Sequence, residues 1–402
     1  MKVLQVNVVY KKGSTGKITY ELHKGLMQEG IESVVCYGRG EKVNEVGVYK
    51  TCSELYSKVN NALSRITGVL YGGCFFSTNK LIRIIKKEKP DIVHLQCING
   101  YFVNIYRLIT WLKKQNIRTV LTLHAEFMYT ANCGHALECE RWKIGCGKCP
   151  RKKEETKSLF FDGTACSWKK MRNAFDGFEK LIVTSVSPWL MKRASESPIL
   201  KDKKHRVIYN GVNTEIFHLR NCKDIRKQFK CFNKKIVFHA TPFFSLEKGH
   251  LKGGWYICKL AKMMPDTMFL VAGSHNSEIK VPSNIHLLGR IDNQDELAEY
   301  YSAADVTLIA SKKETFSMIV AESLCCGTPV VGFKAGGPEE IAISEFSDFI
   351  EYGDINELKR VLEKRLYNYS TVKKIDISYK ASKVYSVSQA NNAYINCYYE
   401  LM

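Results

Sequence analysis

Short β-branched segments alternate with helix-like segments along almost the whole chain, and this rhythm limits the folds open to it. The first unit of the pattern is a strand-like run over residues 2–9, a loop containing Gly13 and Gly16, and a helix-like segment that ends before Gly30. Strands that alternate with helices indicate parallel sheets covered by helices on both faces. Further strand-like segments lie at residues 31–37, 91–95, 119–124 and 181–185, and a second series lies at 207–209, 236–240, 267–273, 285–288, 306–310 and 329–332.

The two series predict an α/β protein with two Rossmann-like, doubly wound domains. We expect the first domain over residues 1–205, with an insertion that departs from the βα rhythm over about 126–167. We expect the second domain over residues 206–380. A chain of 402 residues with 45% hydrophobic residues and 9 Pro has enough apolar side chains for two cores, which excludes collagen-like and wholly disordered classes.

Hydropathy predicts neither a membrane-spanning helix nor a signal peptide. No run approaches the ~18 apolar residues that a span needs, and Gln5 and Asn7 interrupt the apolar start. We therefore expect a cytoplasmic protein whose 15 Cys meet a reducing environment, which argues against a disulfide scaffold.

The positive charge is concentrated in the first half of the chain. Residues 1–200 hold 32 Lys and Arg against 17 Asp and Glu, a balance of +15, and the remainder of the net +20 is +5. This distribution favours an anionic partner, although a solvated lysine-rich surface explains it equally well.

Two glutamates, Glu314 and Glu322, flank the start of a predicted helix that follows a strand. A wholly helical interval would separate them by roughly 12 Å along the axis, wider than the carboxylate pairs of glycosidases. The wider span suits the two ends of a nucleotide-sugar: Glu322 on the ribose, Glu314 on the sugar, and the backbone N–H groups of Phe316, Ser317 and Met318 on the diphosphate. The alternative is one glutamate stabilised by the helix dipole and one exposed helical glutamate.

The motif and its surroundings resemble the retaining glycosyltransferases of family four, which have the GT-B fold. Glu314 and Glu322 match a Glu-x7-Glu motif that ends in a Gly-Thr-Pro-Val-Val strand, and the first half of the chain resembles bacterial exopolysaccharide and capsule enzymes. The other matching segments are 91–95, 122–124, 207–217, 288–290, 301–306 and 336–340. The resemblance implies two domains facing a cleft, with residues 381–402 forming a helix that crosses back to the first domain.

The resemblance also implies roles for individual residues. Glu314 would contact the transferred sugar and Glu322 the ribose, and Lys252 or Lys248 would neutralise the departing diphosphate. Lys252 is the better match because Gly253 leads directly into a helix. Residues 240–243 stand where the family has an arginine, and Lys248 would replace that charge; surface charge is the alternative for either lysine.

Three residues of the first domain are further candidates. Gly13 and Gly16 let the backbone of the first βα turn approach the donor, although the turn lacks the spacing of an ATP-binding phosphate loop. His124 ends a strand at the edge where open sheets bind ligands, and the resemblance implies contact with the sugar. A buried structural histidine is the alternative, and Ala125 replaces the aspartate that the resemblance leads us to expect.

Four cysteines lie close together in the insertion: Cys133, Cys139, Cys146 and Cys149. Four thiols are able to close a tetrahedral zinc site that stabilises a small loop, so we predict a structural zinc ion there. Reduced structural thiols and a redox role are the alternatives.

The predicted function is transfer of a sugar from a nucleotide-sugar to a saccharide acceptor, with retention, in bacterial surface polysaccharide biosynthesis. No catalytic metal is implied, because the chain contains no Asp-x-Asp. The alternatives are a nucleotide-sugar epimerase of the same fold and a basic, zinc-bearing nucleic-acid-binding protein. The nucleic-acid-binding alternative explains only the positive charge and the cysteines. The basic runs also largely lack the interleaved aromatic residues on which bases would stack.

The resemblance further implies a polyprenyl-diphosphate-linked acceptor at the inner face of the cell membrane. The basic first half would then dock peripherally on anionic lipid. Residues 80–89 are the candidate contact, since their pattern indicates a basic amphipathic helix, although such a helix more often packs into its domain.

Overall fold

The computed structural model describes residues 1–229, 234–367 and 373–402. They form two compact units, one of residues 1–209 with 390–402 and one of residues 210–389. Two parallel-strand sheets with alternating helices confirm the predicted fold class of two Rossmann-like domains.

Within the described residues, the first unit contains a seven-stranded parallel sheet in the order β3-β2-β1-β4-β5-β6-β7. Its strands are β1 (Lys2–Asn7), β2 (Glu32–Tyr37), β3 (Val48–Lys50), β4 (Ile92–Leu95), β5 (Arg118–Leu123), β6 (Leu181–Ser185) and β7 (Lys204–Val207). Its helices are α1 (Gly13–Gln28), α2 (Glu54–Thr67), α3 (Phe75–Glu88), α4 (Ile105–Lys114), α5 (Phe127–Thr130), α6 (Lys152–Glu155), α7 (Thr164–Phe175) and α8 (Pro188–Glu196), with a 3₁₀ turn at Arg141–Lys143.

The second unit contains a six-stranded parallel sheet, counted over its described part, in the order β10-β9-β8-β11-β12-β13. Its strands are β8 (Ile236–Phe243), β9 (Met268–Ser274), β10 (Ile285–Gly289), β11 (Val306–Ile309), β12 (Val330–Phe333) and β13 (Ser347–Ile350). The helices from here to the chain end are α9 (Lys223–Gln228), α10 (Gly254–Met263), α11 (Gln294–Ala303), α12 (Met318–Cys325), α13 (Gly337–Ile341), α14 (Ile355–Tyr367), α15 (Lys374–Tyr385) and α16 (Val387–Leu401), with a 3₁₀ turn at Ser344–Phe346.

Helix α16 supplies part of the core of the first unit. Tyr394 and Tyr398 are buried in one cluster with Val3 of β1 and Ile92 of β4. The buried His94 imidazole lies 2.7 Å from the Tyr398 hydroxyl and 2.7 Å from the Thr122 hydroxyl. Apolar packing and a satisfied polar network together therefore fix the last helix on this sheet.

The strand near residue 207 belongs to the first sheet, which corrects the sequence analysis. The predicted strand at 207–209 was placed at the start of the second series, whereas β7 ends at Val207 and pairs with β6 through Ile182↔Lys204 and Ser185↔Val207. An edge strand is exposed and has a weak apolar pattern, so its sequence does not reveal which sheet it joins. Only the backbone pairing with β6 shows this.

The amphipathic segment 80–89 packs into its domain. Residues 80–88 lie within α3 and Lys89 caps it, and the apolar side chains of Leu81, Ile82 and Ile85 are buried. The basic side chains of Arg83 and Lys86 stay exposed. The apolar side of α3 is therefore used by the core and is not free to enter a membrane. Among the described helices, none has both the length and the apolar character required to span a bilayer.

Candidate functional site

The candidate site of the second unit lies where its strand order reverses. Strands β8 and β11 are neighbours, β9 and β10 continue on one side, and β12 and β13 continue on the other. In open α/β sheets ligands bind beyond the carboxyl ends of the strands at such a point. The segments that leave β8 and β11 contain Lys248, Lys252, Glu314 and Glu322.

Lys252 and Glu314 form a half-buried ion pair at this edge. The Lys252 ammonium lies 2.5 Å from Glu314 Oε1, which also accepts a hydrogen bond from the Ser311 hydroxyl at 2.9 Å. Gly253, at φ +69°, brings the lysine there, because a Cβ at this position would lie 2.0 Å from the Ala310 carbonyl oxygen. Only glycine lets the two backbones approach so closely.

The backbone around Glu314 is held from the other side by the loop after β12. The Glu314 N–H donates to the Ala335 carbonyl at 3.0 Å, and the Gly337 N–H donates to the Glu314 carbonyl at 3.0 Å. A Cβ on Gly337 would lie 2.4 Å from the Thr315 carbonyl oxygen. The Glu339 carboxylate accepts from the Gly336 N–H and so closes this turn. The carboxylate of Glu314 is thus placed by two rigid backbone contacts.

Helix α12 begins at Met318, four residues after Glu314. The interval from Glu314 to Glu322 is therefore not wholly helical, and the axial separation expected for a continuous helix does not apply. Ser317 adopts φ +78° before the helix, and both Phe316 and Ser317 are buried. The buried Ser317 hydroxyl has no hydrogen-bond partner among the described residues. A helix N-terminus with a spare hydroxyl offers donors to an anion.

Glu322 lines a cavity of about 390 Å³ beside α12. Its Oε2 accepts a hydrogen bond from the Tyr301 hydroxyl at 3.1 Å. Tyr301 is wholly buried, and desolvation raises the pKa of its phenol well above the ordinary value, so the phenol stays protonated and donates. Residues 240–242, where the family arginine is absent, form part of the wall together with Gly273 and Arg290.

Sequence reasoning missed two members of this site, Tyr301 and His239. His239 on β8 donates from Nδ1 to the Leu308 carbonyl at 2.9 Å, while its buried Nε2 has no partner among the described residues. Burial lowers the pKa of His239 to about 4. Lys252 has a smaller effect that also lowers the pKa, and Glu314 has a smaller effect that raises it. A histidine within an apolar strand gives no local indication of a site. Tyr301 begins the matching segment 301–306, but the resemblance assigned it no role.

Lys248 lies away from the ion pair. Its exposed ammonium stands 5.6 Å from the centre of the Trp255 ring, a cation–π contact. The structure therefore brings Lys252 to Glu314, whereas Lys248, in the loop before α10, contacts Trp255 of that helix.

Gly13 and Gly16 shape the first βα turn of the first unit. Gly13 begins α1 with φ +67°, and a Cβ on Gly16 would lie 3.1 Å from the Val9 side chain. The Lys11 N–H donates to the Gly16 carbonyl at 3.0 Å, which closes the turn. Both glycines are thus used by the turn itself.

His124 follows β5 and is partly buried. Its Nε2 lies 3.3 Å from the Gln96 Oε1 at the end of the neighbouring strand. Desolvation lowers the pKa of His124 to about 4, so the ring is neutral near pH 7. A neutral imidazole suits a hydrogen bond to a sugar hydroxyl as well as a structural role.

The four insertion cysteines are electrostatic neighbours. Burial raises the pKa of the Cys133 thiol, and Cys146, Cys149 and Cys139 each raise it further. Across the described residues, however, no group of three or more His, Cys, Asp or Glu side chains is arranged to hold a metal ion. Four cysteine thiols are suitable ligands for zinc, but in this structure they are not arranged around a common point as a zinc site requires.

A buried ion pair anchors the insertion to the domain. Glu126 accepts from Arg193 Nε at 2.7 Å, from the Tyr129 hydroxyl at 2.5 Å and from the Ala136 N–H at 2.7 Å. The Arg193 guanidinium also lies 5.1 Å from the Trp142 ring centre. The insertion, which the structure describes in full, contains no strand, and these contacts attach it to the domain.

Two protein-family profiles match the chain. Glycosyltransferase Family 4 matches residues 15–216, which is half of the chain, and Glycosyl transferases group 1 matches residues 225–382. A relative from Escherichia coli K12, named as the colanic acid biosynthesis glycosyl transferase WcaC, is 22% identical over 418 aligned residues that cover 100% of both chains.

Solved structures of similar fold cover the whole chain. Sucrose-phosphate synthase from Thermosynechococcus elongatus superposes with a TM-score of 0.69 at 15% identity, covering 100% of this chain and 98% of that one. Anabaena HepE in complex with UDP-glucose superposes with a TM-score of 0.65 at 14% identity, covering 100% of both. At these identities the likeness shows the fold, which is the two-domain GT-B architecture.

Proposed function

The chain belongs to glycosyltransferase family 4, and on that premise we propose that it transfers a sugar, with retention, from a nucleotide-sugar to a saccharide acceptor in bacterial surface polysaccharide biosynthesis. The relative named for colanic acid biosynthesis supports the acceptor class, and HepE bound to UDP-glucose supports the donor class. The shape of the binding pocket determines which sugar, which nucleotide base and which acceptor the enzyme uses.

The observation that carries the proposal is the arrangement around α12. The Lys252–Glu314 ion pair precedes the helix, the unpartnered Ser317 hydroxyl is buried at its start, and Glu322 lines the 390 Å³ cavity beside it. In this proposal Glu322 binds the ribose hydroxyls and Glu314 the hydroxyls of the transferred sugar. The backbone N–H groups of Phe316, Ser317 and Met318 bind the diphosphate.

Catalysis is mainly electrostatic in this proposal. Negative charge grows on the diphosphate as the glycosidic bond breaks, and Lys252 with the α12 N-terminus stabilises that charge. Lys248 adds positive charge from further away. The leaving phosphate deprotonates the acceptor hydroxyl on the same face of the sugar, so the configuration is retained and neither an enzymic nucleophile nor a catalytic metal takes part.

The first unit binds the acceptor in this proposal, and His124 contacts the transferred sugar. Gly13 and Gly16 let the backbone of the first βα turn approach the donor. The basic balance of +15 over residues 1–200 suits an acidic acceptor. We propose a polyprenyl-diphosphate-linked saccharide, which holds the enzyme peripherally at the cytoplasmic face of the membrane.

The structural zinc ion is a separate proposal that rests on the donor set alone. Cys133, Cys139, Cys146 and Cys149 would each have to bring sulfur to about 2.3 Å from one point. Zinc would then stabilise the insertion and take no part in transfer, since four protein ligands leave no open position.

A thermal-shift panel of UDP-, GDP- and ADP-linked sugars tests the proposal. A ligand that binds only the native state raises the unfolding temperature, and the expected result is a shift with one nucleotide class that the Glu322→Ala variant loses. Glu351→Ala is the matched control, because Glu351 pairs with Lys334 on the surface of the same unit. No shift with any donor, or an equal shift in the Glu322 variant, overturns the donor site.

A further inference from the structure

Helix α2 carries its apolar side chains on the outside. Leu55, Val59, Leu63 and Ile66 recur at helical spacing and are all exposed, with 74% of Leu55 and 52% of Leu63 accessible to solvent. The buried side of the helix is polar and consists of Ser57, Asn60 and Ser64. The usual order, apolar side inward, is reversed in this helix.

The inward polar side chains have partners, so the reversed orientation is stable. The Ser57 hydroxyl donates to the Gly100 carbonyl at 3.1 Å. The Asn60 amide donates to the Tyr56 carbonyl at 2.8 Å and accepts from the Cys74 N–H at 2.7 Å. Because buried polar groups without partners would be costly, this network fixes the apolar stripe outward.

The start of α3 extends the exposed apolar surface. Phe75 and Phe76 are both exposed, Phe76 to 77%, and the Phe76 ring centre lies 5.9 Å from that of Tyr56 on α2. The Phe76 N–H also donates to the Tyr56 hydroxyl at 3.3 Å. The two helices therefore present one continuous surface.

A loop of the insertion adds three more apolar side chains at the other end of α2. Leu159, Phe160 and Phe161 are all exposed. The Leu159 N–H donates to the Arg65 carbonyl at 2.7 Å, and a Cβ on Gly68 would lie 2.3 Å from the Phe161 carbonyl oxygen. We name the exposed apolar residues of α2, of the α3 start and of this loop the apolar face.

Basic side chains lie beside each part of the apolar face. Lys58 and Arg65 are exposed on α2, the Arg107 guanidinium lies 5.9 Å from the Phe75 ring centre, and the Lys152 ammonium donates to the Phe160 carbonyl at 3.1 Å. The one acidic residue of α2, Glu54, pairs with Arg39 and accepts from the Gly40 N–H. A contiguous apolar face with a cationic border matches an anionic lipid surface.

We propose that the apolar face is a docking surface for an anionic lipid bilayer, entering it with the α2 stripe, the two α3 phenylalanines and the 159–161 loop. This inference rests on the proposed lipid-linked acceptor. It moves the contact away from the apolar side of residues 80–89, which the core uses. Apolar insertion holds the protein, and the bordering cations favour anionic lipid.

Co-sedimentation of the full chain with phosphatidylcholine vesicles and with vesicles containing phosphatidylglycerol tests the proposal at low and high salt. We expect stronger binding to the anionic vesicles, weakened by salt but not abolished, because screening acts on the charges and leaves the apolar contribution. The triple variant L55Q/L63Q/F76Q should lower the partition coefficient at least about tenfold at both salt concentrations.

Two further variants act as controls. Met27→Gln with Val46→Gln changes exposed apolar residues of the same unit outside the face, and it should leave binding within about twofold. K80Q/R83Q/K86Q/K87Q removes four charges from α3, and it should weaken only the salt-sensitive part. Unchanged binding of the triple variant, or complete loss in the α3 variant alone, overturns the proposal.

The remaining outcomes separate the lipid surface from other partners and from the proposed function. A concentration-dependent dimer that the triple variant abolishes, seen by light scattering without lipid, would assign the face to a second copy and overturn the proposal. Retained donor thermal shifts in a protein that binds no vesicle would leave the transferase assignment in place and reject only the surface. Vesicle binding without any donor shift would instead reject the proposed donor site and leave the docking surface in place.

Discussion

The Lys252 ammonium lies 2.5 Å from Glu314 Oε1, although 62 residues separate the two positions in the chain. The contact depends on Gly253, which passes close to the Ala310 carbonyl, and on the Lys312 N–H, which donates to the Leu251 carbonyl at 2.8 Å. The loop after β8 and the loop after β11 are therefore joined by backbone contacts before any ligand arrives. A preorganised pair of this kind lowers the cost of ordering charges around a donor.

Changing either member of this pair should impair sugar transfer while the fold survives. We expect Glu314→Gln and Lys252→Met each to lower kcat/KM by roughly 10- to 150-fold, since a charge-assisted hydrogen bond contributes about 1.5–3 kcal/mol. Steady-state kinetics with the cognate donor measures the effect, and circular dichroism checks the fold. The exposed pair Lys334–Glu351 is the matched control. Near-normal turnover in both site variants would contradict the assignment.

Tyr301 and Glu322 should affect donor binding unequally. Glu322→Gln removes the carboxylate proposed to bind the ribose, so the donor Kd should rise at least about tenfold. Tyr301→Phe removes the hydroxyl that orients this carboxylate at 3.1 Å and should raise the Kd less. Calorimetric titration with the nucleoside diphosphate gives both values, with Glu299→Gln on the exposed side of α11 as a control. A larger effect of Tyr301→Phe would reverse the proposed roles.

Acidification should destabilise the first unit through His94. Burial lowers its pKa to about 3 in the folded protein, against about 6.5 in the unfolded chain, and nearby His124 lowers it further. Between these values the unfolded state binds more protons, so stability falls as the pH drops from 6.5 towards 3, by about 2 kcal/mol at pH 5.

Urea unfolding at pH 7 and pH 5 tests this prediction. The free energy of unfolding should fall less for His94→Gln than for the wild type. The exposed His218→Gln serves as the control, and an equal loss in all three proteins would exclude His94 as a source.

Protein purified under reducing, chelator-free conditions should carry about one zinc ion. Cys146→Ser with Cys149→Ser should lose the metal and unfold at a lower temperature, because metal binding is coupled to folding of the insertion. Cys166→Ser, an exposed thiol outside the four, is the control. Elemental analysis that finds no metal in the wild type would reject the zinc proposal and leave plain reduced thiols.

The alternation of strand and helix predicted both Rossmann-like units, because period and β-branched composition are local properties of each segment. The same local reasoning predicted a helix after the strand near Glu314, and the structure has α12 there, ended by Gly327 at φ +77° just past the last turn. Residue roles at the donor and acceptor sites stay predictions, as do the domain boundaries at 205 and 380.

Other features depended on partners far away in the chain. The glycine after Lys252 favoured that lysine over Lys248 in the sequence, but its contact with Glu314 depends on the approach of Gly253 to Ala310, which lies far away in the chain. The strand at Lys204–Val207 joined the first sheet because β6 offered an open edge. Likewise, the apolar stripes of α2 and α3 look alike in sequence, yet α3 buries its stripe and α2 exposes it. The sequence determines that a helix has two faces, while the tertiary structure decides which face is inside, because that choice depends on which residues of other segments can satisfy its polar groups and pack against its apolar ones.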